Sequence, residues 1–391
     1  MAALAIAGLA SLGGCATGGR LPAVPLAMAP EVKPLGVPNA RFYYGDVAGA
    51  EAVARELLEN RKRFEGASFN RGPFSTQHFL AISGGGDDGA FGAGLLLGWT
   101  ERGDRPAFRI VTGISTGALS APFAFLGPEY DAKLKQVYTD TTADDIFTKR
   151  SMIAAVADDA MTDSTPLRDM IAGYLDQRML TRIAEEYDKG RLLLIATTNL
   201  DQARSVIWNI GAIAKSKDPR ARDLIIEVLR ASASIPGVFP PVMLDVTVEG
   251  KHYEEMHVDG GAIAQSFLYP PSVKLKKIDA RLGGTSQRIA YVIRNGRLFR
   301  PEESVKKQTL AIVGQTITTM TAASGVNDTY RIYLTTKRDG VDFNLAYIDD
   351  DFDTPYSGPF EKAYMRKLFA YGFAKGKAGY KWSKTPPGYK E

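Results

Sequence analysis

The segment from Arg109 to Ser120 constrains the fold more than any other part of the sequence. It begins as a short apolar, β-branched run, which is typical of a buried strand, and it ends in small residues that are compatible with a helix. Between the two lies Gly113-Ile114-Ser115-Thr116-Gly117, a Gly-x-Ser-x-Gly pattern. This pattern between a strand and a helix is typical of a nucleophile elbow, in which the flanking glycines avoid steric collisions. The sequence therefore predicts that a sharp turn holds the Oγ of Ser115 at its tip, above a helix N-terminus.

A second strand–loop–helix unit precedes this one. The run from His78 to Ile82 predicts a strand, and Gly84, Gly86 and Gly89 in the loop after it satisfy Gly-x-Gly-x-x-Gly. That spacing invites interpretation as a dinucleotide-binding loop. Two observations oppose this interpretation: Asp87 and Asp88 would repel a pyrophosphate, and no acidic residue closes an apolar strand about twenty residues later, as a ribose would require.

The same glycines suit a smaller anion. Consecutive glycines at Gly84, Gly85 and Gly86 expose backbone N–H groups near a helix N-terminus, where they can stabilise a developing oxyanion. The alternative is that these glycines only permit close packing, which is the preferred interpretation for the small residues of 92–98.

A serine nucleophile requires a general base, and the sequence offers few. The chain has three histidines, His78, His252 and His257, and no histidine follows Asp259, so this acid cannot take the middle place in the Ser–Asp–His order of α/β-hydrolases. A Ser–His pair could use any of the three, and His257, on the same side of its strand as Asp259, is the strongest of these candidates. The other candidate base is Asp259, which ends an alternating strand before two glycines; a carboxylate serves as a base when burial raises its proton affinity.

Taken in order, these motifs resemble the patatin-like phospholipase family. The motifs are Gly84-Gly85-Gly86-x-x-Gly89, Gly113-x-Ser115-x-Gly117 and Asp259-Gly260-Gly261, with weaker similarity at Thr165–Arg168 and Ala231–Pro241. The resemblance spans roughly Gln77 to Asn295. It implies an α/β fold with three layers, α/β/α, around a mostly parallel central sheet.

The resemblance also implies a function. It suggests a serine acyl hydrolase that cleaves esters of phospholipids or related lipids, with Ser115 as the nucleophile, Asp259 as the base and the N–H groups of Gly84–Gly86 as the oxyanion hole. Gly89, Gly113, Gly117, Gly260 and Gly261 would support these motifs. No metal or other cofactor is expected. One departure is Asp88, because the family often carries Lys or Arg at this position.

The N-terminus resembles a bacterial lipoprotein signal. Residues 1–14 are apolar and uncharged, and they end in Leu12-Gly13-Gly14 before Cys15, the single cysteine of the chain. A cysteine at this position of a lipobox receives a diacylglyceryl group and becomes the mature N-terminus. We therefore expect a membrane anchor at Cys15, and Ala16 after it favours the outer membrane of a Gram-negative cell envelope.

The whole chain divides into four predicted parts. Residues 1–14 are the signal, 15–75 a tether and a surface helix at Glu51–Phe64, 76–300 the catalytic domain, and 301–391 an extension packed on it. The tether is the Pro- and Gly-rich stretch 18–38. Asp140–Met161 is interpreted either as a lid over the site or as a surface hairpin.

Hydrophobic patterns predict the remaining elements. Strands are predicted at Arg191–Thr198, Ser205–Trp208, Ile289–Ile293, Tyr330–Thr335 and Val341–Tyr347, and helices at Asp223–Ala233, 301–324 and 359–384. The last helix is basic and aromatic. Such a helix either lies at a membrane surface or packs its apolar face on the core.

Composition excludes other classes. The 391 residues include 48 basic and 44 acidic side chains, a balance that does not indicate a nucleic-acid partner. Two alternatives to the hydrolase remain: a nucleotide-binding oxidoreductase, and a non-catalytic envelope lipoprotein that uses the same fold to bind lipid or protein.

Overall fold

The computed structural model describes residues 20–66, 76–149, 161–277, 286–298, 304–356 and 358–389. The predicted signal and Cys15 lie outside these ranges. The strands are β1 (Arg41–Tyr43), β2 (Gln77–Ile82), β3 (Ile110–Gly113), β4 (Thr148–Lys149), β5 (Thr162–Asp163), β6 (Leu192–Asn199), β7 (Arg204–Asn209), β8 (Val242–Val248), β9 (Lys251–Asp259), β10 (Arg288–Arg297) and β11 (Asp342–Ile348). The α-helices are α1 (Val47–Glu65), α2 (Gly89–Arg102), α3 (Thr116–Leu126), α4 (Asp131–Thr139), α5 (Thr165–Tyr174), α6 (Gln177–Asp188), α7 (Ile210–Lys215), α8 (Ala221–Ser232), α9 (Thr309–Asp339) and α10 (Lys362–Ala378).

A mixed, mostly parallel sheet forms the centre of the molecule. Strands β11, β10, β2, β3 and β6 are parallel neighbours in that order. Beyond β6 the sheet becomes antiparallel through β7 and β1, while β9 and β8 branch from the far half of β6. The predicted fold class, an α/β protein with a mostly parallel central sheet, is therefore confirmed.

Both faces of the sheet are covered. Along β2, Leu80 and Ile82 belong to the larger core that packs under α2 and α3, whereas Phe79 and Ala81 belong to a second core under α9. Successive side chains of a strand point to opposite faces, so the two cores lie on the two sides of the sheet. The continuous apolar runs of the parallel strands follow from this double burial.

Two strands share one edge of β6. Gly113 at the end of β3 lies opposite Ile195, and Asp259 at the end of β9 lies opposite Thr197. Because β3 is parallel to β6 and β9 is antiparallel to it, β3 and β9 run toward each other and end two positions apart. The turn that follows β3 therefore meets the carboxyl end of β9.

Helices α2 and α10 pack with their backbones in contact. A Cβ atom on Gly94 would lie 2.1 Å from the carbonyl oxygen of Phe369, and one on Gly376 would lie 2.4 Å from that of Leu95. Only glycine permits this approach. The basic aromatic segment thus packs its apolar face on the core, the second of the two interpretations of its sequence. It follows β11, a strand of the central sheet.

Two predictions differ from the structure. Residues 330–335, predicted as a strand, continue α9, because Ile332, Tyr333 and Thr336 fall on one helical face that packs on the sheet. The described part of the predicted tether is also not free. Val24 and Val32 are buried against the hairpin of β8 and β9. No helix in the described ranges is long and apolar enough to cross a membrane.

Candidate active site

The turn between β3 and α3 has the backbone of a nucleophile elbow. Ser115 has φ 55° and ψ −128°, a backbone conformation that residues other than glycine rarely adopt, and the residue is 6% exposed. Its N–H donates to the Oγ of Ser232 at 3.1 Å, and that hydroxyl donates to the carbonyl oxygen of Ala196 at 2.7 Å. The strained turn is thus fixed by the hydrogen bond that it donates to the end of α8.

The backbone on either side of the turn lies so close to neighbouring backbone that only glycine fits there. A Cβ atom on Gly117 would lie 2.3 Å from the carbonyl oxygen of Ile82, and one on Gly113 would lie 2.4 Å from the carbonyl oxygen of Gly117. Both distances are too short for any side chain. The Gly-x-Ser-x-Gly pattern therefore lets α3 begin directly against β2 and the glycine loop.

Asp259 lies next to Ser115, as the end-to-end arrangement of β3 and β9 requires. Burial raises the pKa of Asp259 to about 7, although hydrogen bonds from the Ser115 hydroxyl and from the N–H of Gly261 favour its ionised form. The Gly261 bond measures 2.6 Å, and the N–H of Asp259 itself donates to the carbonyl oxygen of Ser234 at 2.8 Å. A carboxylate with this pKa, bonded to a hydroxyl, can act as a general base near neutral pH.

The glycine loop offers two N–H donors rather than the three predicted. The N–H of Gly84 donates to the carbonyl oxygen of Gln265 at 2.9 Å, so it is not available to an oxyanion. Within the described residues, the N–H groups of Gly85 and Gly86 have no protein acceptor. Gly85 has φ 157° and Gly86 has φ 59°. The prediction for Gly84 is therefore corrected: it contacts Ser115, and a Cβ added to it would lie 3.2 Å from the Cβ of Ser115.

Asn295 holds the glycine loop in place. Its Nδ2 donates to the carbonyl oxygen of Ser83 at 2.9 Å, and its Oδ1 accepts from the N–H of Gly92 at 3.1 Å. A Cβ on Gly85 would lie 2.0 Å from the carbonyl oxygen of Asn295. The loop is thus pressed against the end of β10, which leaves no room for a side chain at Gly85.

The two aspartates of the loop have structural partners. The carboxylate of Asp87 accepts from the N–H of Phe360 at 2.9 Å, and that of Asp88 accepts from the hydroxyl of Tyr364 at 2.7 Å. Burial raises the pKa of Asp87. The carboxylates therefore attach the start of α10 to the glycine loop, which gives the departure at Asp88 a physical reason.

His257 takes part in a different network. Thr197 Oγ1 lies 2.9 Å from Nδ1 of His257 and accepts from Nε1 of Trp208 at 2.8 Å, while Nε2 of His257 lies 3.3 Å from Glu255. Burial lowers the pKa of His257. Glu255 also pairs with Arg41, and although burial opposes its ionisation, hydrogen bonds from His257 and Arg41 hold its pKa at about 2. Both ring nitrogens of His257 are occupied, so Ser115 has Asp259 and not this imidazole as its partner.

The other two histidines lie away from the site. His78 stands near the start of β2 and His252 near the start of β9, whereas the glycine loop and Asp259 lie at the opposite ends of these strands. Neither ring is close enough to Ser115 to act as its base.

We expect His257→Gln to lower stability without removing the reactivity of Ser115. The substitution breaks buried hydrogen bonds to Thr197 and Glu255 and should reduce the free energy of unfolding by about 1–3 kcal/mol. Urea unfolding measures this loss, and labelling by a fluorophosphonate probe measures reactivity. A folded His257→Gln protein that no longer reacts would make His257 the base instead of Asp259.

The supporting glycines lie where the motifs need them. A Cβ on Gly89 would lie 2.2 Å from Oγ1 of Thr116, and one on Gly260 would lie 2.6 Å from the carbonyl oxygen of Ala196. Gly261 donates to Asp259, as described above. The glycine loop, the elbow and the Asp259 turn are thus in direct contact with one another.

Aromatic rings lie near these motifs. Phe147 contacts Phe239, which precedes β8, at 6.0 Å between ring centroids, and it contacts Phe360, bonded to Asp87, at 6.2 Å. Phe147 belongs to the segment predicted as either a lid or a hairpin, of which residues 150–160 lie outside the described ranges.

Three residues that position the site are not predicted from the sequence. Ser232 fixes the elbow, Asn295 fixes the glycine loop, and Gln265 joins that loop to the Asp259 turn through its carbonyl oxygen and through Nε2, which donates to Gly261 at 2.9 Å. Asn295 could have been found, because it follows a buried apolar run at the carboxyl end of a parallel strand. Ser232 lies in the stretch Ala231–Pro241 that resembles the family, but its sequence gives it no role, and Gln265 carries no signal.

Comparison with known proteins gives a family for the central part of the chain. A sequence profile described as patatin-like phospholipase matches residues 80–269, which include the glycine loop, Ser115 and Asp259. No curated protein matches the chain significantly. Similar solved structures include VipD from Legionella pneumophila, at 12% identity and a TM-score of 0.32, and human GIVD cytosolic phospholipase A2, at 11% and 0.29. These matches cover 77% and 72% of this chain but 66% and 51% of the other two, so it spans less than two thirds of either.

Proposed function

Residues 80–269 form a patatin-like phospholipase domain, and from this premise we propose that the chain is a serine acyl hydrolase that cleaves carboxylic esters of phospholipids or related lipids through a Ser115–Asp259 dyad. The family supports hydrolysis of lipids as the general activity. The dyad and the substrate are the proposal.

One observation carries the proposal. Ser115 occupies a strained turn and bonds to a buried carboxylate whose pKa is about 7, while the nearby imidazole is occupied elsewhere. Burial of an ionisable group beside a nucleophile costs stability, and such arrangements concentrate at catalytic sites.

The reaction follows from these groups. Ser115 Oγ attacks the acyl carbonyl while Asp259 accepts its proton, and the N–H groups of Gly85 and Gly86 hold the resulting oxyanion. The intermediate collapses when the alcohol leaves with the proton from Asp259, which leaves an acyl ester on Ser115. Water then attacks that ester with Asp259 again as base, and the fatty acid departs as Ser115 regains its proton.

The test is hydrolysis of defined lipids by the full chain carrying Cys15→Ser, which removes the predicted lipidation. Diacyl phosphatidylethanolamine, its lyso form and a triacylglycerol are each supplied in detergent micelles, and released fatty acid is measured by mass spectrometry. Release from either phospholipid supports the proposal. Release from the triacylglycerol alone would contradict the substrate class. A folded protein inactive on all three would favour the non-catalytic lipoprotein.

We also propose that the chain is anchored to the cell envelope through Cys15, as the Leu-Gly-Gly-Cys sequence suggests. In cells fed an alkyne fatty acid, the wild-type protein should become labelled. Cys15→Ser and Cys15→Ala should abolish this labelling equally. Equal labelling of wild type and Cys15→Ser would overturn the anchor without affecting the proposed chemistry.

A further inference from the structure

Helix α9 contains a long stretch without charge. The helix spans Thr309–Asp339, and Asp328 is its first charged residue, so residues 309–327 form what we call the uncharged segment. Four apolar side chains of this segment are largely open to water: Ile312 at 48%, Val313 at 49%, Ile317 at 46% and Met320 at 67% exposure. Surface helices of soluble proteins normally direct charged residues outward and apolar residues inward. The uncharged segment therefore has the surface of a helix that contacts something apolar.

The second half of the same helix is firmly held. Asp328 is buried, and its carboxylate accepts from the N–H of Gln265 at 2.6 Å and from that of Ser266 at 3.1 Å. Ile332 and Tyr333 pack on the sheet. The uncharged segment is thus the continuous N-terminal part of an anchored helix.

The anchor leads directly to the candidate site. Gln265 accepts from the N–H of Gly84 and donates through Nε2 to the carbonyl oxygen of Gly261, so one residue contacts the glycine loop, the Asp259 turn and α9. Ile263, two residues after Gly261, is 43% exposed. It lines a groove of about 640 Å³ together with Met320. A groove whose larger apolar side chains are Ile263 and Met320, and which Asn327 and Arg331 also line, therefore joins the uncharged segment to the turn that carries Asp259.

Two lysines stand at the tip of the helix, four residues after Glu302 and Glu303 in the sequence. Lys306 and Lys307 precede it and are exposed. The N-cap residue, Gln308, makes no side-chain capping bond, and the first turn has no acidic residue. The first N–H groups and the helix dipole therefore add positive potential to the two lysines, which together suit phosphate oxygens.

We propose that the uncharged segment of α9 docks on a bilayer that contains anionic phospholipid. Lys306, Lys307 and the helix N-terminus contact the headgroup phosphates, and Ile312, Ile317 and Met320 enter the boundary with the acyl chains. This docking deepens the proposed function and rests on it, because it brings the Asp259 turn to the surface from which a lipid substrate would come. The paired charge and apolar surface favour a bilayer over a second copy of this chain.

Binding to vesicles tests this proposal. The full chain carrying Cys15→Ser is sedimented with vesicles of phosphatidylcholine alone and with an equimolar mixture of phosphatidylcholine and phosphatidylglycerol. Two double variants are compared: Lys306→Glu with Lys307→Glu, and Ile317→Glu with Met320→Glu. The control is Leu334→Glu, on the anchored half of the same helix, where Leu334 is 54% exposed.

We expect the lysine variant to bind the mixed vesicles about tenfold or more weakly, since each lysine near an anionic surface contributes about fivefold. The parent should bind phosphatidylcholine alone more weakly than the mixture, the apolar variant should bind neither measurably, and Leu334→Glu should bind the mixture within about twofold of the parent. Unchanged binding by both double variants would overturn the proposal. A second result would also overturn it: light scattering shows that the parent is a dimer and that the variant with Ile317→Glu and Met320→Glu is a monomer, while this variant still binds vesicles.

Loss of membrane docking can be distinguished from loss of the proposed hydrolase activity. A water-soluble fluorophosphonate reports on Ser115 without any bilayer. Protein that reacts with the probe but binds no vesicles retains the chemistry and loses only the docking surface. Protein that binds vesicles through α9 without reacting retains the docking surface and loses the chemistry.

Discussion

Ser115→Ala is expected to reduce kcat/KM for ester hydrolysis by at least about 10⁴-fold, because removal of a serine nucleophile leaves only the binding and oxyanion contributions. The substitution deletes a single oxygen at a site where the backbone is already fixed by Ser232. We therefore expect no loss of fold. Release of fatty acid from the active lipid, measured with equal amounts of folded protein, checks the result.

The matched control is Ser232→Ala, which keeps the nucleophile and removes the acceptor for the N–H of Ser115. This variant should retain part of the activity, since Ser232 acts on the turn and not on the substrate. Its expected signature is a lower kcat and a free energy of unfolding reduced by about 1–2 kcal/mol. Residual activity of Ser115→Ala equal to that of Ser232→Ala would contradict the assignment of the nucleophile.

Asp259→Asn is expected to lower kcat by about 10²- to 10⁴-fold, because an amide cannot accept the proton of Ser115. The two side chains have the same shape. Burial raises the pKa of Asp259 to about 7, so the wild-type rate should rise with pH through about 7 as the carboxylate forms, and then level off. The residual rate of Asp259→Asn should lack this rise. A wild-type profile that is flat from about pH 5 to 9 would contradict Asp259 as the base.

The same pKa predicts the direction of a stability change. The folded state binds the proton of Asp259 more tightly than the unfolded state does, so this group favours folding below about pH 4 and loses that contribution as the pH rises through about 7. At pH 8 the wild type keeps a buried, ionised carboxylate, whereas the amide introduced by Asp259→Asn is neutral at every pH. Asp259→Asn should therefore be more stable than wild type by about 2–4 kcal/mol at pH 8, and the difference should vanish near pH 4. Urea unfolding of both proteins at the two pH values measures this difference.

Much of the fold follows from the sequence. The apolar runs that form β2, β3, β6 and β10 are buried on both faces of the sheet. A short, continuous apolar run is typical of such a strand, so these elements are predictable from the sequence. The elbow is predictable because glycines at Gly113 and Gly117 avoid the steric collisions that a sharp turn between a strand and a helix would otherwise cause. The error at 330–335 arises because β-branched and aromatic residues favour strands locally, whereas the contacts that decide the matter come from β10 and β11.

The site is predictable in part. Motif spacing indicates Ser115 and Asp259, but no local feature indicates that β3 and β9 end against the same edge of β6. The assignment of the glycine loop is less accurate, since the N–H of Gly84 is taken by a carbonyl from Gln265, far away in the chain. The proposed membrane docking by α9 is not predicted from the sequence, because it depends on the position of this helix beside the Asp259 turn, which only the structure shows.

The most direct test of the central claim is covalent labelling of the full chain, carrying Cys15→Ser, by a fluorophosphonate at pH 8. We expect one modified peptide, which contains Ser115, with labelling abolished in Ser115→Ala, strongly slowed in Asp259→Asn and retained in His257→Gln. Circular dichroism confirms that each protein is folded. A folded wild type that remains unlabelled, or that is labelled on another residue while Ser115→Ala reacts equally well, would contradict the dyad.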